Sequence, residues 1–175
     1  VDAHLDVRDT PGSGMPFRSL IEGGFVDPRK FTVVGAGLFA NTREHFQWLT
    51  GRGARVLGIE SVMAYGVSDT DTFTRCMRKA AVGSAQRFGT GFVSIDMDCL
   101  DAGCAPGVSA MNPMGLTVRH VEQIAREAGE HPAVRHFDLM ELSPPNDKPA
   151  GAGMTARIAA LLFLSFIRGF AERAL

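Results

Sequence analysis

The sequence is poor in cysteine and has no long uninterrupted hydrophobic run. Its 175 residues include three cysteines, and no pair has the C-x-x-C spacing of a thiolate metal site or a redox motif. We therefore expect reduced thiols and a cytoplasmic protein. The longest apolar run without a charge, Ile158 to Ile167, is too short to span a bilayer, so we expect no membrane partner.

An excess of positive charge is also absent. The formal net charge is -1 at pH 7, which argues against binding to nucleic acid or to an anionic membrane. The hydrophobic fraction of 45% is that of an ordinary globular chain, long enough to bury a core. These features favour a protein that acts on a small molecule, and we treat residues 1–175 as one domain.

Potential metal ligands lie at the start of the chain. Asp2, His4 and Asp6 are spaced at i, i+2 and i+4, so on a β-strand all three side chains would line one face. Carboxylates and one imidazole, without a thiol, suit Mn²⁺, with Fe, Zn or Mg as weaker alternatives. The other interpretation of this segment is a solvated turn rich in Asp and His.

A second pair of carboxylates ends an apolar segment in the middle of the chain. Asp96 and Asp98 follow Phe92 and Val93, and a loop rich in proline and glycine comes next. At the tip of a buried strand the two carboxylates would project together, repel each other and lose hydration unless a cation neutralised them. Taken alone, such a pair could equally be a structural cap, but the Asp2–Asp6 segment favours a metal site.

Strand patterns alternate with helix patterns along the whole chain. This alternation predicts a doubly wound parallel α/β sheet sandwiched by helices, with ligands bound beyond the carboxyl ends of the strands. The expected strands are 1–6, 31–35, 55–59, 91–96 and 134–142. The expected helices are 17–21, a helix capped by Asn41, 69–88, a helix capped by Thr117, and 154–172.

Three ordered motifs resemble the arginase/agmatinase/formimidoylglutamase (ureohydrolase) family. They are Asp2-Ala3-His4-Leu5-Asp6, then Ser94-Ile95-Asp96-Met97-Asp98 with Asp101 and Ala105-Pro106-Gly107, then Glu141-Leu142-Ser143-Pro144-Pro145-Asn146-Asp147. The resemblance implies an arginase-like fold and a site for two Mn²⁺ ions bridged by hydroxide, which attacks an amidine or guanidine carbon. It also implies that N-terminal strands and a Gly-Gly-Asp-His ligand loop belong to a longer domain, of which this chain is the C-terminal part.

The resemblance assigns roles to individual residues. Asp2 and Asp96 are expected to bridge the metals, Asp6 to serve one metal, and His4 with Asp98 to serve the other. Asp98 and Glu141 are the expected catalytic residues, and Glu141 would pair with the substrate's amidinium group.

The subfamily is predicted from the loop after the first motif. Ser13 and Arg8 resemble formimidoylglutamases, and an arginine suits a substrate with two carboxylates. Met111 departs from the pattern, since relatives are expected to have proline there. The expected activity is hydrolysis of N-formimidoyl-L-glutamate to L-glutamate and formamide in histidine degradation, by an enzyme that forms a homo-oligomer. The alternatives are an agmatinase or another guanidino hydrolase that releases urea, and an inactive fragment with an incomplete metal site.

Overall fold

The computed structural model describes residues 1–66, 90–147 and 153–173. Parallel strands alternate with helices in these ranges. The elements are α1 (Pro16–Glu22), β1 (Thr32–Ala36), α2 (Arg43–Thr50), β2 (Arg55–Gly58), α3 (Ile59–Gly66), β3 (Gly91–Asp96), α4 (Val118–Glu130), β4 (Val134–Met140) and α5 (Met154–Glu172). The helix expected over 69–88 lies outside the described residues.

The first residues of the chain join two pairs of parallel strands. β1 pairs with β2, and β3 pairs with β4. Between these pairs, Asp2 donates its N–H to Val34 (3.0 Å), and Val1 accepts from the N–H of Asp96 (2.9 Å). The spatial order is therefore β2, β1, residues 1–3, β3, β4. This order brings the carboxyl ends of β3 and β4 to the same edge, where Asp96 pairs with Met140.

The prediction that residues 1–6 form a strand is wrong. The chain bends at Ala3 and His4. The carboxylate of Asp2 accepts the N–H of His4 at 2.6 Å, and the amide of Asn41 binds the carbonyl of Ala3 and the N–H of Leu5. Because side chains satisfy these backbone groups, the segment leaves the sheet ladder after Ala3.

Besides one-residue shifts at the ends of α1 and β1, three other boundaries differ from the predictions. Thr42, not Asn41, caps α2, since its hydroxyl accepts the N–H of His45. Strand β2 ends at Gly58 and leads directly into α3, a helix that the sequence pattern did not indicate. Strand β4 ends at Met140, so Glu141 follows the strand instead of belonging to it.

Helices α4 and α5 cover part of the sheet. Helix α5 contributes Ile158, Ala159 and Leu162 to the main core cluster. By length and composition it is the one described helix that could cross a membrane, and 33% of it is buried in the protein. Its other faces expose large apolar side chains: Leu161, Phe163, Leu164, Ile167 and Phe170.

Two glycines let α4 and α5 approach each other closely. A Cβ added at Gly129 would lie 2.2 Å from the carbonyl oxygen of Phe166, and one at Gly169 would lie 2.3 Å from that of Arg126. Backbone atoms cannot yield as a flexible side chain can. The crossing of the two helices therefore requires glycine at both positions.

We expect Gly129→Ala to destabilise the protein by about 1–3 kcal/mol, since overpacking outweighs the gain in helix propensity. Chemical denaturation measures the change. Ala160→Gly, at an exposed position of α5, is the control for propensity alone and should cost about 1 kcal/mol. Stabilisation by Gly129→Ala would contradict the close approach.

A histidine completes the cap of α4. The hydroxyl of Thr117 accepts the N–H of His120 at 3.2 Å, and Nδ1 of His120 accepts the N–H of Thr117 at 3.4 Å. Burial lowers the pKa of His120. A protonated Nδ1 cannot accept a hydrogen bond, so the cap requires the neutral ring.

The stability contributed by this cap should depend on pH. Because the pKa of His120 is lower in the folded state, protonation favours unfolding, and the contribution is lost as pH falls through and below about 6.5. Gln at this position can cap without titrating. The free energy of unfolding of His120→Gln, relative to that of the unmutated protein, should therefore increase as the pH is lowered from 7.5 to 5.5. Urea unfolding at the two pH values measures this difference. An equal difference at both pH values would contradict this role.

Candidate metal centre

The predicted ligand segment at the start of the chain is held by Asn41. Its Oδ1 accepts the N–H of Leu5 at 2.8 Å, and its Nδ2 donates to Ala3 and Gly37 at 2.9 Å each. These bonds clamp the backbone on both sides of His4. The sequence alone does not indicate this role, because an asparagine before a helix is equally typical of an N-cap.

The other ligand segment turns sharply after β3. The carboxylate of Asp96 accepts the N–H of Asp98 at 2.9 Å and caps a 3₁₀ helix, Met97–Cys99. Asp98 is thereby turned inward and is only 3% exposed. A strand spacing for Asp96 and Asp98 was predicted, but the turn, not a continued strand, brings Asp98 into place.

Asp2, His4 and Asp98 form a compact cluster. Nδ1 of His4 lies 2.9 Å from Oδ2 of Asp98 and 3.8 Å from Oδ1 of Asp2. One donor atom from each residue lies within 4.8 Å of the others. Oδ1 of Asp98 is buried and has no hydrogen-bond partner in the described part of the protein. An unpaired buried carboxylate oxygen beside two further ligands fits a cation.

The carboxylates of Asp2, Asp96 and Asp98 repel one another, and these charges and burial change the pKa values of the site residues. Burial, with the charge of Asp98, raises the pKa of Asp2 to about 7. Burial, with the charges of Asp2 and Asp98, raises the pKa of Asp96 to about 8. The hydrogen bond to Asp98 raises the pKa of His4 to about 9. Burial and like charge therefore make it costly to keep these carboxylates ionised together, and a bound cation would lower that cost.

The remaining predicted ligands lie around an adjoining cavity of about 390 Å³. Asp6 and Asp96 line it together with Asp2, Ser13 and Glu141. Burial raises the pKa of Asp6, against the opposing charges of His4 and Arg8. The structure thus places all five predicted metal ligands in one region, with three of them in the tight cluster.

Two residues of this region have left-handed backbones. Asp6 has φ of 49° and Glu141 has φ of 59°, and they are the two described residues other than glycine with positive φ. Side chains disfavour this conformation, which costs about 1–3 kcal/mol per residue and is common at functional sites. Both residues were predicted from the sequence as site residues.

Glu141 has a hydrogen-bond partner, Ser109, that the sequence does not indicate as a site residue. The hydroxyl of Ser109 donates to Oε2 of Glu141 at 2.5 Å. The two residues belong to the loops that follow β3 and β4. Nothing in their sequence spacing connects them, so only the parallel pairing of the strands could reveal the contact.

Arg8 is exposed and does not line the cavity. Its side chain packs over Gly14, where an added Cβ would lie 2.7 Å from Cδ of Arg8.

Asp101 accepts the N–H of Gly103 at 2.8 Å and so orders its loop. Among the described histidines, His4 alone belongs to the cluster.

Comparisons with known proteins agree with these motifs. The Arginase family model matches residues 1–168. Formimidoylglutamase of Halalkalibacterium halodurans is 29% identical, with 96% of this chain and 51% of the relative covered. Formimidoylglutamase of Aromatoleum aromaticum is 33% identical, with 99% and 49% covered. The chain thus spans about half the length of the curated relatives it matches.

Solved structures show the same fold. Formimidoylglutamase of Bacillus subtilis has a TM-score of 0.89 and 24% identity, with 99% of this chain and 52% of that chain covered. Formiminoglutamase of Trypanosoma cruzi with Mn²⁺ has a TM-score of 0.82 and 28% identity, with 99% and 56% covered. The predicted doubly wound, arginase-like fold is confirmed. From its motifs, its fold and the match over residues 1–168, the chain belongs to the arginase family.

Proposed function

We propose that this chain supplies most of the metal ligands of a manganese-dependent hydrolase that converts N-formimidoyl-L-glutamate and water to L-glutamate and formamide. The observation that carries the proposal is the buried Asp2, His4 and Asp98 cluster with its unpaired carboxylate oxygen. The identity of the substrate is inferred from the relatives, which are named formimidoylglutamases.

The donor set suits two Mn²⁺ ions. His4 and Asp98 would hold one ion, Asp6 the other, and Asp2 and Asp96 would bridge them. Four carboxylates balance the charge of two divalent cations. When bound, such ions lower the pKa of a coordinated water so that a nucleophile exists near neutral pH.

Glu141 would hold the substrate's amidinium group. Its carboxylate lies beyond β4 at the edge of the cavity that Asp2, Asp6 and Asp96 also line. A planar amidinium and a carboxylate form two parallel hydrogen bonds, which orient the carbon relative to the metal ligands. Ser13 lines the same cavity and would contact the substrate.

Arg8 is exposed, and its charge acts on Asp6, which lines the cavity; from there it would attract a carboxylate of the substrate. A guanidinium binds carboxylates through two hydrogen bonds and would disfavour agmatine, which carries two positive charges.

A guanidino hydrolase is the second candidate function, because proclavaminate amidino hydrolase of Streptomyces clavuligerus is similar to this chain. Its TM-score is 0.78 and its identity is 26%, with 98% of this chain and 54% of that chain covered.

We extend the proposal to a cytoplasmic homo-oligomer. The two described cysteines, Cys99 and Cys104, are free thiols, which suits a reducing compartment. The apolar side chains exposed on α5 suit association with another protein surface.

The chain should bind one Mn²⁺ tightly and a second weakly, because His4, Asp98, Asp2 and Asp96 complete one site. Combined substitution Asp96→Ala and Asp98→Ala should abolish the tight site in isothermal titration calorimetry. Asp9→Ala removes an exposed carboxylate near the ligand segment and is the control. Equal Mn²⁺ binding by the double variant and the control would refute the assignment, provided that circular dichroism shows both are folded.

In the full-length enzyme, Arg8→Ala should raise KM for formimidoylglutamate about tenfold or more, since a lost hydrogen bond to a charged group costs about 1.5–3 kcal/mol. Steady-state kinetics measures the change, with the exposed Arg43→Ala as the matched control. If the unmutated enzyme prefers agmatine, the guanidino hydrolase replaces our proposal.

A further inference from the structure

A chain of buried hydrogen bonds begins at Asp147, a carboxylate to which the metal site assigns no role. Asp147 is 5% exposed. Its two oxygens accept the N–H of Thr155, at 2.9 Å, and the hydroxyl of Thr155, at 3.0 Å. This double contact fixes the side chain of Thr155, which is fully buried in the first turn of α5.

Thr155 also forms a hydrogen bond with the loop that follows β3. Its hydroxyl oxygen accepts the N–H of Gly107 at 2.8 Å. The carbonyl of Gly107 in turn accepts the N–H of Ser143 at 2.7 Å, and that of Val108 accepts Nδ2 of Asn146 at 2.8 Å. The loops that follow β3 and β4 are therefore tied together at Gly107 and Val108, and Thr155 holds Gly107 from helix α5.

Gly107 lies where no side chain would fit. An added Cβ would be 2.9 Å from Cβ of Asp147 and from Cβ and Oγ1 of Thr155. The contact is thus close as well as hydrogen-bonded. Two residues further along the same loop, Ser109 donates to Glu141, whose left-handed backbone needs support from its surroundings.

We propose that Asp147 and Thr155 are positioning residues that act through Gly107 and Ser109 to orient the carboxylate of Glu141 toward the substrate's amidinium group. This inference rests on the role of Glu141 in the proposed function. Without the Thr155 hydroxyl, the buried N–H of Gly107 loses its acceptor, and the loop must shift to satisfy it. Ser109 then moves relative to Glu141, and the two parallel hydrogen bonds to the amidinium are misaligned.

The effect should fall mainly on substrate binding. Glu141 would contact the amidinium group before and during the reaction, so a misplaced carboxylate raises KM more than it lowers kcat. Reduced stability alone would lower the amount of folded enzyme, and therefore the apparent kcat, without changing KM. This difference separates a positioning role from a purely structural one.

Thr155→Val keeps the shape of the side chain and removes its hydroxyl, whereas Thr155→Ser keeps the hydroxyl. In the full-length, manganese-loaded enzyme, we expect Thr155→Val to raise KM for formimidoylglutamate about tenfold, with kcat changed less than about threefold. Thr155→Ser should restore KM to within about twofold. Ser165→Ala is the matched control, since Ser165 is also a buried hydroxyl of α5 but donates to Glu122, away from this network.

Hydrogen exchange supplies a readout that needs no substrate. In Thr155→Val the amides of Gly107 and Ser143 should exchange about tenfold faster or more, while that of Ile95 in β3 is unchanged. An unchanged KM, or unchanged exchange at both amides, would overturn the inference. If the unmutated enzyme does not hydrolyse formimidoylglutamate, the proposed function fails, and the exchange of Gly107 and Ser143 alone then decides whether Thr155 controls the loop.

Discussion

The repulsion among carboxylates that share a buried site is the constraint on which the rest of this structure depends. Asp2 and Asp98 are almost fully buried, and Asp96 adds a third negative charge. The raised pKa values of Asp2 and Asp96 reflect the cost of keeping these groups charged together away from water. His4 offsets part of this charge through Asp98, and a bound cation would offset the remainder.

The sheet brings these charges together. The first residues of the chain lie between β1 and β3, so backbone hydrogen bonds on both sides fix Asp2 next to Asp96. The pairing of β3 with β4 brings Glu141 to the same edge. Four of the candidate site residues depart from regular geometry: the chain bends at His4, a 3₁₀ turn directs Asp98, and Asp6 and Glu141 have positive φ. A rigid sheet thus supports irregular backbone where the chemistry requires it.

Side-chain hydrogen bonds from outside the ligand set hold this irregular backbone. Asn41 supports the segment around His4, and the bonds of Thr155 support the loop that contacts Glu141. Further away, Gly129 and Gly169 allow α5 to pack against α4, which places the first turn of α5 beside Gly107. The position of the site therefore depends on helix packing as well as on the strands.

The sequence by itself determined the fold class and, through the resemblance of its motifs, the family, and it indicated the region of the candidate site. Alternating strand and helix patterns, and the spacings of Asp2, His4, Asp6, Asp96 and Asp98, are local properties that a single chain displays directly. The sequence also indicated Glu141 and Ser13, which the structure places at the same cavity. Only the tertiary structure decided that residues 2–6 bend out of the sheet, that Asn41 clamps them and that Ser109 contacts Glu141. The Asn41 and Ser109 contacts depend on hydrogen bonds between residues more than 30 positions apart, whose partners no local pattern specifies.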